Sequence, residues 1–378
     1  MKSMRSFCLV GLLIAVLWGM NLASQTRSLT IFPADERRFL DSLPLVLPGL
    51  NGAYALDVEF SKRVSAVYTY AIQAPKFAAR EWVLFMPEPP ELPSQNITGA
   101  RTVPAGTIVR DLSPRQQRIF RTRVPANTES LRQGIVFQLI IDADLYSRIL
   151  VPATNNPMNV RAGRLSDDER LWSLLPTPSF DYSSKPVHAW AVKSGVGNRE
   201  TDEGEIAFAR RVFQAVARGF QYEYRENQNR SASQVCLAGR SDCLGLCNLF
   251  VAVLRSQGIP ARTLVGRWAV SARPGEKIGD VINVQQHVKA EFFAQGVGWV
   301  PVDPSLAVQR DMSQQRLLHF GNDPGDFVTL HLDSEVTFNT IYFGTITKTL
   351  QKARYFAIGD GSLGGAIIRE DWAVNWIW

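Results

Sequence analysis

Asp242-Cys243-Leu244-Gly245-Leu246-Cys247-Asn248-Leu249-Phe250-Val251-Ala252-Val253-Leu254-Arg255, followed by Gly258-Ile259-Pro260-Ala261-Arg262, is the stretch on which the reading of this 378-residue chain turns. Cys243 falls on one helical face with Leu246, Cys247, Phe250 and Leu254. A helix therefore starts at Ser241 or Asp242 and runs to Gln257, where Gly258 and then Pro260 stop it. Cys243 lies in its first turn, where free N–H groups and the helix dipole favour a thiolate. Most cysteines are merely small buried hydrophobes. A catalytic thiol needs a base within reach, and the strands expected downstream, at Arg262 to Val270, His287 to Phe293 and Val297 to Val302, carry one.

That base is His287, and Gly298-Trp299-Val300-Pro301-Val302-Asp303-Pro304 follows it. With Ala294-Gln295-Gly296 as a three-residue hairpin loop and Gly296 in its left-handed position, Phe293 pairs with Val297. His287 then stands directly opposite Asp303, on one face with Lys289, Glu291, Trp299 and Pro301. Val288, Ala290, Phe292, Val300 and Val302 take the other face. Cys243, His287 and Asp303 are thus the candidate catalytic residues: a nucleophile, its base, and a carboxylate to orient the imidazole and stabilise its charged form. The polar face is expected to line the site.

These three blocks, in this order, resemble the core of the transglutaminase-like superfamily. There a cysteine opens a core helix that ends in a GIPAR-type turn, and a His strand and an Asp strand follow. The resemblance covers about residues 200 to 305 and implies an α+β fold, a papain/transglutaminase-like core in which the Cys helix packs on an antiparallel sheet. It also implies acyl transfer on peptide or side-chain amides through a thioester. Water as acceptor makes a protease or amidase, the favoured reading, and an amine makes a cross-linking transferase. A binding or assembly module that keeps the fold without turnover is the alternative from another class. Members commonly carry an aromatic two residues after the His, where this chain has Lys289.

Upstream, Val64, Ala66, Tyr68, Tyr70 and Ile72 alternate with smaller or more polar neighbours, the period of a half-buried strand. Ile135 to Ile141 is a second apolar run, and Pro87, Pro89, Pro90 and Pro93 punctuate the region between. An all-β, sandwich-like domain is expected at 29–160, a connector at 161–199 and the core at 200–305. Asp202 with Glu205 forms a capping box for the helix that opens the core. Residues 306–378 are expected as a β-rich extension of the core.

Lys2 and Arg5 precede an uncharged run from Phe7 to Ala23, so residues 1–24 read as a signal peptide or a membrane anchor, and both stay open. The remainder is expected to be exported, periplasmic or extracellular, with residues 7–23 as the attachment if the segment is retained. Cys8 lies in that segment, which leaves Cys236, Cys243 and Cys247 of the four cysteines. Their spacing has no CxxC pair and no nearby His, so neither metal nor other cofactor is expected. A Cys236–Cys247 disulfide is a weaker expectation. The net charge of +6 without a dense basic run argues against nucleic acid as partner, and the resemblance implies a protein or peptide substrate. His188, His319 and His331 read as structural or exposed.

Overall fold

Strand Tyr54–Gln73 realises the alternation, burying Val64, Ala66, Tyr68, Tyr70 and Ile72 between more exposed neighbours. It pairs antiparallel with Gly134–Pro152 on one side and Ile367–Ile377 on the other, and Gln95–Val103 adds to Gly134–Pro152. A second antiparallel sheet runs in the order Arg354–Gly361, Phe77–Pro87, Arg118–Pro125, Thr107–Arg110. Trp82, Leu84 and Met86 from this sheet share one apolar cluster with Tyr68, Phe137, Leu139, Ile141 and Trp372 from the first, as in a β-sandwich. Each such side chain contributes roughly 1.5–3 kcal/mol by leaving water.

This structure is a computed structural model and describes residues 54–153, 165–271 and 285–377, with the backbone of Lys277–Ile278 and Val281–Ile282. The expected export segment, residues 29–53 and part of the connector lie outside the described residues.

The core sheet has the order Gly298–Val302, Gln286–Ala294, Ala261–Trp268, Phe327–Leu332, with antiparallel neighbours throughout. Helix Cys243–Ser256 packs on this sheet and against helix Glu205–Gly219. Phe250 is the pivot, edge-on to Phe213 of that helix at 6.1 Å and to Phe292 of the sheet at 6.4 Å. The chain is α+β, as its sequence implies.

Two expectations need correction. Helix Glu205–Gly219 begins with Gly204 as N-cap and no side-chain cap, so the Asp202 capping box does not form; Glu205 is already in the first turn, 3.7 Å from Arg199. The tail from residue 306 is not one extension of the core. Phe327–Leu332 joins the core sheet, whereas Arg354–Gly361 and Ile367–Ile377 return to the two sandwich sheets. Strands Phe77–Pro87 and Tyr54–Gln73 take them as ladder neighbours, and Trp372 completes the apolar cluster between the sheets.

Candidate active site

The site is built from the Cys helix upward. Asp242 caps it, with Oδ1 accepting the Gly245 N–H at 3.3 Å and Oδ2 accepting Arg230 Nε at 2.7 Å. Cys243 is therefore the first helical residue, and it keeps partial exposure. A Cβ at Gly245 would strike the Ser241 hydroxyl, so glycine lets this turn close against the preceding strand. One turn on, the Cys247 thiol donates to the Val288 carbonyl at 3.4 Å, while the Val288 N–H faces the Cys243 sulfur. Both sulfurs thus meet the strand one residue past His287. In the observed register Ala290 pairs with Val302, so the ladder continued would set Val288 opposite Pro304, which has no N–H to give.

His287 Nε2 lies 2.6 Å from Asp303 Oδ2. A carboxylate only accepts, so Nε2 carries the proton in this bond, and in the neutral ring that leaves Nδ1 as the acceptor. Asp303 is also the N-cap of helix Pro304–Arg310, and its Oδ1 accepts from Ser305 Oγ and the Leu306 N–H, each at 2.9 Å. Capping thus fixes one oxygen and aims the other at the ring. Gln351 Nε2 donates to the His287 carbonyl at 2.7 Å. The imidazole lies on Trp268, with centroids 4.5 Å apart and planes at 20°, and Phe327 meets it edge-on at 6.1 Å.

The hairpin register differs from the expected one. Ala294 pairs with Gly298, so the loop is Gln295-Gly296-Val297, and Gly296 at φ 82° is its middle residue rather than its last. The Val297 N–H bonds the Ala294 carbonyl at 3.0 Å, which draws Val297 into the turn. The slip is two residues, and because side chains alternate with period two every face assignment survives it. Asp303 consequently reaches His287 from the end of its strand, across the start of a helix, rather than from directly opposite.

Lys289 and Glu291 share the His287 face, yet they do not line the site as expected. Lys289 Nζ binds Asp323 at 3.1 Å and Asp326 at 3.3 Å and lies 4.7 Å above the Trp268 ring. Glu291 is clamped by Arg148 at 2.8 Å and Arg262 at 2.6 Å. Buried charges need such partners, and here they turn the polar face into an internal ionic layer. The aromatic absent after His287 is supplied by neighbouring strands as Trp268 and Phe327. Gly266 pairs with His287, and Trp268 lies two residues on, on the same face. Tyr222 is a second residue not singled out in the sequence; its two-residue ladder with Ser241 brings it beside Cys243. Burial, with the Asp242 carboxylate close by, holds its phenol well above the usual range, so it remains a hydrogen-bond donor.

Burial, with the Asp242 and Asp303 carboxylates close by, likewise holds the Cys243 thiol above its ordinary range; the Val288 N–H and Arg230 pull the other way. This direction is opposite to the depressed thiol expected at a helix start: desolvation and two carboxylates disfavour the thiolate there. Burial alone would raise Asp303 too, but His287, His319 and the Leu306 N–H bring it well below the usual carboxylate range. His319 is buried, and its carbonyl accepts the Asp303 N–H at 2.9 Å. All three described cysteines are free thiols, so the Cys236–Cys247 bond is not formed; Cys236 lies on a separate helix, Ala232–Ala238, where burial pushes its thiol up to about 12. Among the described residues no group of three His, Cys, Asp or Glu side chains could hold a metal, and no helix is long and apolar enough to cross a membrane.

Residues 186–304 match the sequence model of the Transglutaminase-like superfamily, and the chain carries a domain of that superfamily. A protein of Haemophilus influenzae (strain ATCC 51907 / DSM 11121 / KW20 / Rd), described as uncharacterized, is 33% identical over 92 residues. That match spans 20% of this chain and only 24% of the relative's length. The solved structure of a candidate cysteine protease from Cytophaga hutchinsonii shares the fold over 84% of this chain and 92% of its own, with TM-score 0.51 and 13% identity. The periplasmic domain of TgpA from Pseudomonas aeruginosa aligns over 69% of this chain and 93% of its own, with TM-score 0.34 and 17% identity.

Proposed function

We propose that this chain is an exported thiol enzyme that hydrolyses peptide or side-chain amides, with Cys243 as nucleophile, His287 as base and then acid, and Asp303 as the residue that orients His287. One observation carries the reading. The His287 ring is tied through Nε2 to Asp303 at 2.6 Å, and the strand residue next to it meets the Cys243 sulfur. The thiol proton passes to Nδ1 as sulfur attacks the amide carbon and the carbonyl electron pair moves onto oxygen. The Cys243 N–H, free at the helix start, is a donor for that oxyanion. The imidazolium, paired with Asp303, protonates the departing amine. Water then attacks the thioester with His287 as base, giving the acid and restoring the thiol.

The test is mass spectrometry of amide-bearing peptides and proteins incubated with the purified protein and with Cys243→Ala, each with and without added amine. Cleavage or conversion of amide to acid by the wild type alone is expected. Amine incorporation would replace hydrolysis with transfer, and identical spectra from both proteins would leave a binding or assembly module.

A further inference from the structure

The last strand of the sandwich, Ile367–Ile377, reaches the site. Three side chains of one face and the backbone of a fourth residue hold the end of the core strand Ala261–Trp268 and the segment that leaves it. Glu370 Oε2 accepts from Arg267 Nη2 at 3.2 Å. Trp372 Nε1 donates to the Trp268 carbonyl at 2.8 Å, and Trp376 Nε1 donates to the Ala269 carbonyl at 3.0 Å. Between them, Val374 and Ser271 form a reciprocal pair: the Val374 N–H donates to Ser271 Oγ at 2.9 Å, and that hydroxyl donates to the Val374 carbonyl at 3.1 Å. The Arg267 guanidinium, without exposure, is stacked 4.1 Å from the Tyr68 ring and 5.6 Å from Trp372. Sheet hydrogen bonding explains none of this, because Ile367–Ile377 pairs with Tyr54–Gln73 and not with the core. Period two brings the side chains of 370, 372 and 376 to one face, and together with the Val374 backbone they hold Arg267, Trp268, Ala269 and Ser271.

The residue so gripped is the one whose ring lies on His287. We propose that the C-terminal strand is a clamp that positions the site, with Trp372 as the positioning residue: its indole N–H fixes the Trp268 backbone and so seats the Trp268 ring on the His287 imidazole. The ring stack restrains rotation of His287 about the axis that the Asp303 bond leaves free, and so keeps Nδ1 aimed at the Cys243 side. Trp372 touches no reacting atom and acts through Trp268. The role in turnover rests on the thiol-enzyme reading given above; the positioning of the ring does not.

The experiment compares full-length wild type, Trp372→Phe and Trp82→Phe by NMR of the His287 ring protons, assigned by their loss in His287→Gln. Trp372→Phe keeps an aromatic ring and removes one buried indole bond. Trp82→Phe removes an equivalent bond, Nε1 to the Leu131 carbonyl at 2.6 Å, in the same sandwich but away from the site. In wild type the ring current of Trp268 is expected to shift the His287 protons upfield. That shift should shrink in Trp372→Phe and persist in Trp82→Phe at a comparable loss of thermal stability. On the amide substrate, kcat should fall roughly tenfold to hundredfold in Trp372→Phe with KM little changed, as expected for lost alignment. If Trp372→Phe does not fold, Ser271→Ala at the exposed pair is read in the same spectrum and should give a smaller change of the same sign. Unchanged His287 protons in Trp372→Phe, or equal changes in Trp82→Phe, would overturn the clamp. Absence of turnover in wild type would overturn the thiol-enzyme reading and leave the spectral result to decide the clamp alone.

Discussion

In the sandwich, strand Tyr54–Gln73 turns Val64, Ala66, Tyr68, Tyr70 and Ile72 toward Trp82, Leu84 and Met86; in the core sheet, the corresponding inward face of Gln286–Ala294 carries His287, Lys289 and Glu291. Both faces are buried, and the forces that hold them differ. Apolar burial is nondirectional and asks only for volume. A buried charge asks for a partner with defined geometry, and that partner asks for another. The result is a run of alternating charges. Asp326 meets Lys289, which meets Asp323, then Arg148, Glu291, Arg262, Glu169, Arg115, Asp333 and finally Arg255 near the end of the Cys243 helix. Arg148 belongs to a sandwich strand and Glu291 to the His287 strand, so this layer ties the two sheets together beneath the site. The comparison teaches that one region tolerates imprecision and the other does not, and that the proposed chemistry stands on the intolerant one.

The largest effect tests the site itself. Cys243→Ala should abolish turnover, and Cys247→Ala should leave most of it, because Cys247 only caps the Val288 carbonyl. Asp303→Asn should keep the fold and lower kcat about ten-thousand-fold, since an amide can hold the wrong imidazole tautomer; near-normal kcat, measured on the amide substrate, would remove Asp303 from the mechanism.

Next in size is the ionic layer against the apolar one. Arg148→Met should cost about 3–5 kcal/mol by leaving the buried Glu291 with Arg262 alone and Asp323 with Lys289 alone, and adding Glu291→Gln should restore part of that. Leu139→Ala in the sandwich should cost about 2–5 kcal/mol through its cavity, with no such relief from a second change. Urea unfolding of wild type, Arg148→Met, Glu291→Gln, their double variant and Leu139→Ala decides this, and an additive Arg148/Glu291 pair would break the contrast.

A smaller effect concerns pH. His331 is buried with Nε2 accepting the Leu350 N–H at 3.1 Å, and burial lowers its pKa from the ordinary 6.5 to about 4. The unfolded chain takes up the proton first, so this contribution is complete above pH 6.5 and is lost as pH falls toward 4. It amounts to at most about 3 kcal/mol. The fall in stability over that window, followed by thermal melting, should be shallower in His331→Gln. The smallest effect is on labelling of Cys243. Its alkylation rate by iodoacetamide should keep rising with pH beyond the ordinary thiol range, since burial and two carboxylates raise it. A plateau near neutrality would instead indicate a resting thiolate.

Sequence alone determined what neighbours along the chain decide. The helix from Asp242, its stop at Gly258, the alternation of Val64 to Ile72 and the common face of His287 and Asp303 each follow from a period, a cap or a parity. Parity proved robust: a two-residue slip moved Asp303 off the position directly opposite His287 and left it on the same face, where the cap of the next helix aims it at the ring. Tertiary structure alone decided the rest. Where Arg354–Gly361 and Ile367–Ile377 pair depends on which strands have an edge to offer, and those strands lie more than 250 residues upstream by the paired numbers Gln73↔Ile367 and Phe77↔Gly361. Which carboxylate neutralises which arginine, and that Trp268 rather than an aromatic beside His287 supplies the ring against the imidazole, are set by packing across sheets. No local period records such contacts, because the free energy that selects them comes from desolvating partners together, and partners are defined only once the chain has folded.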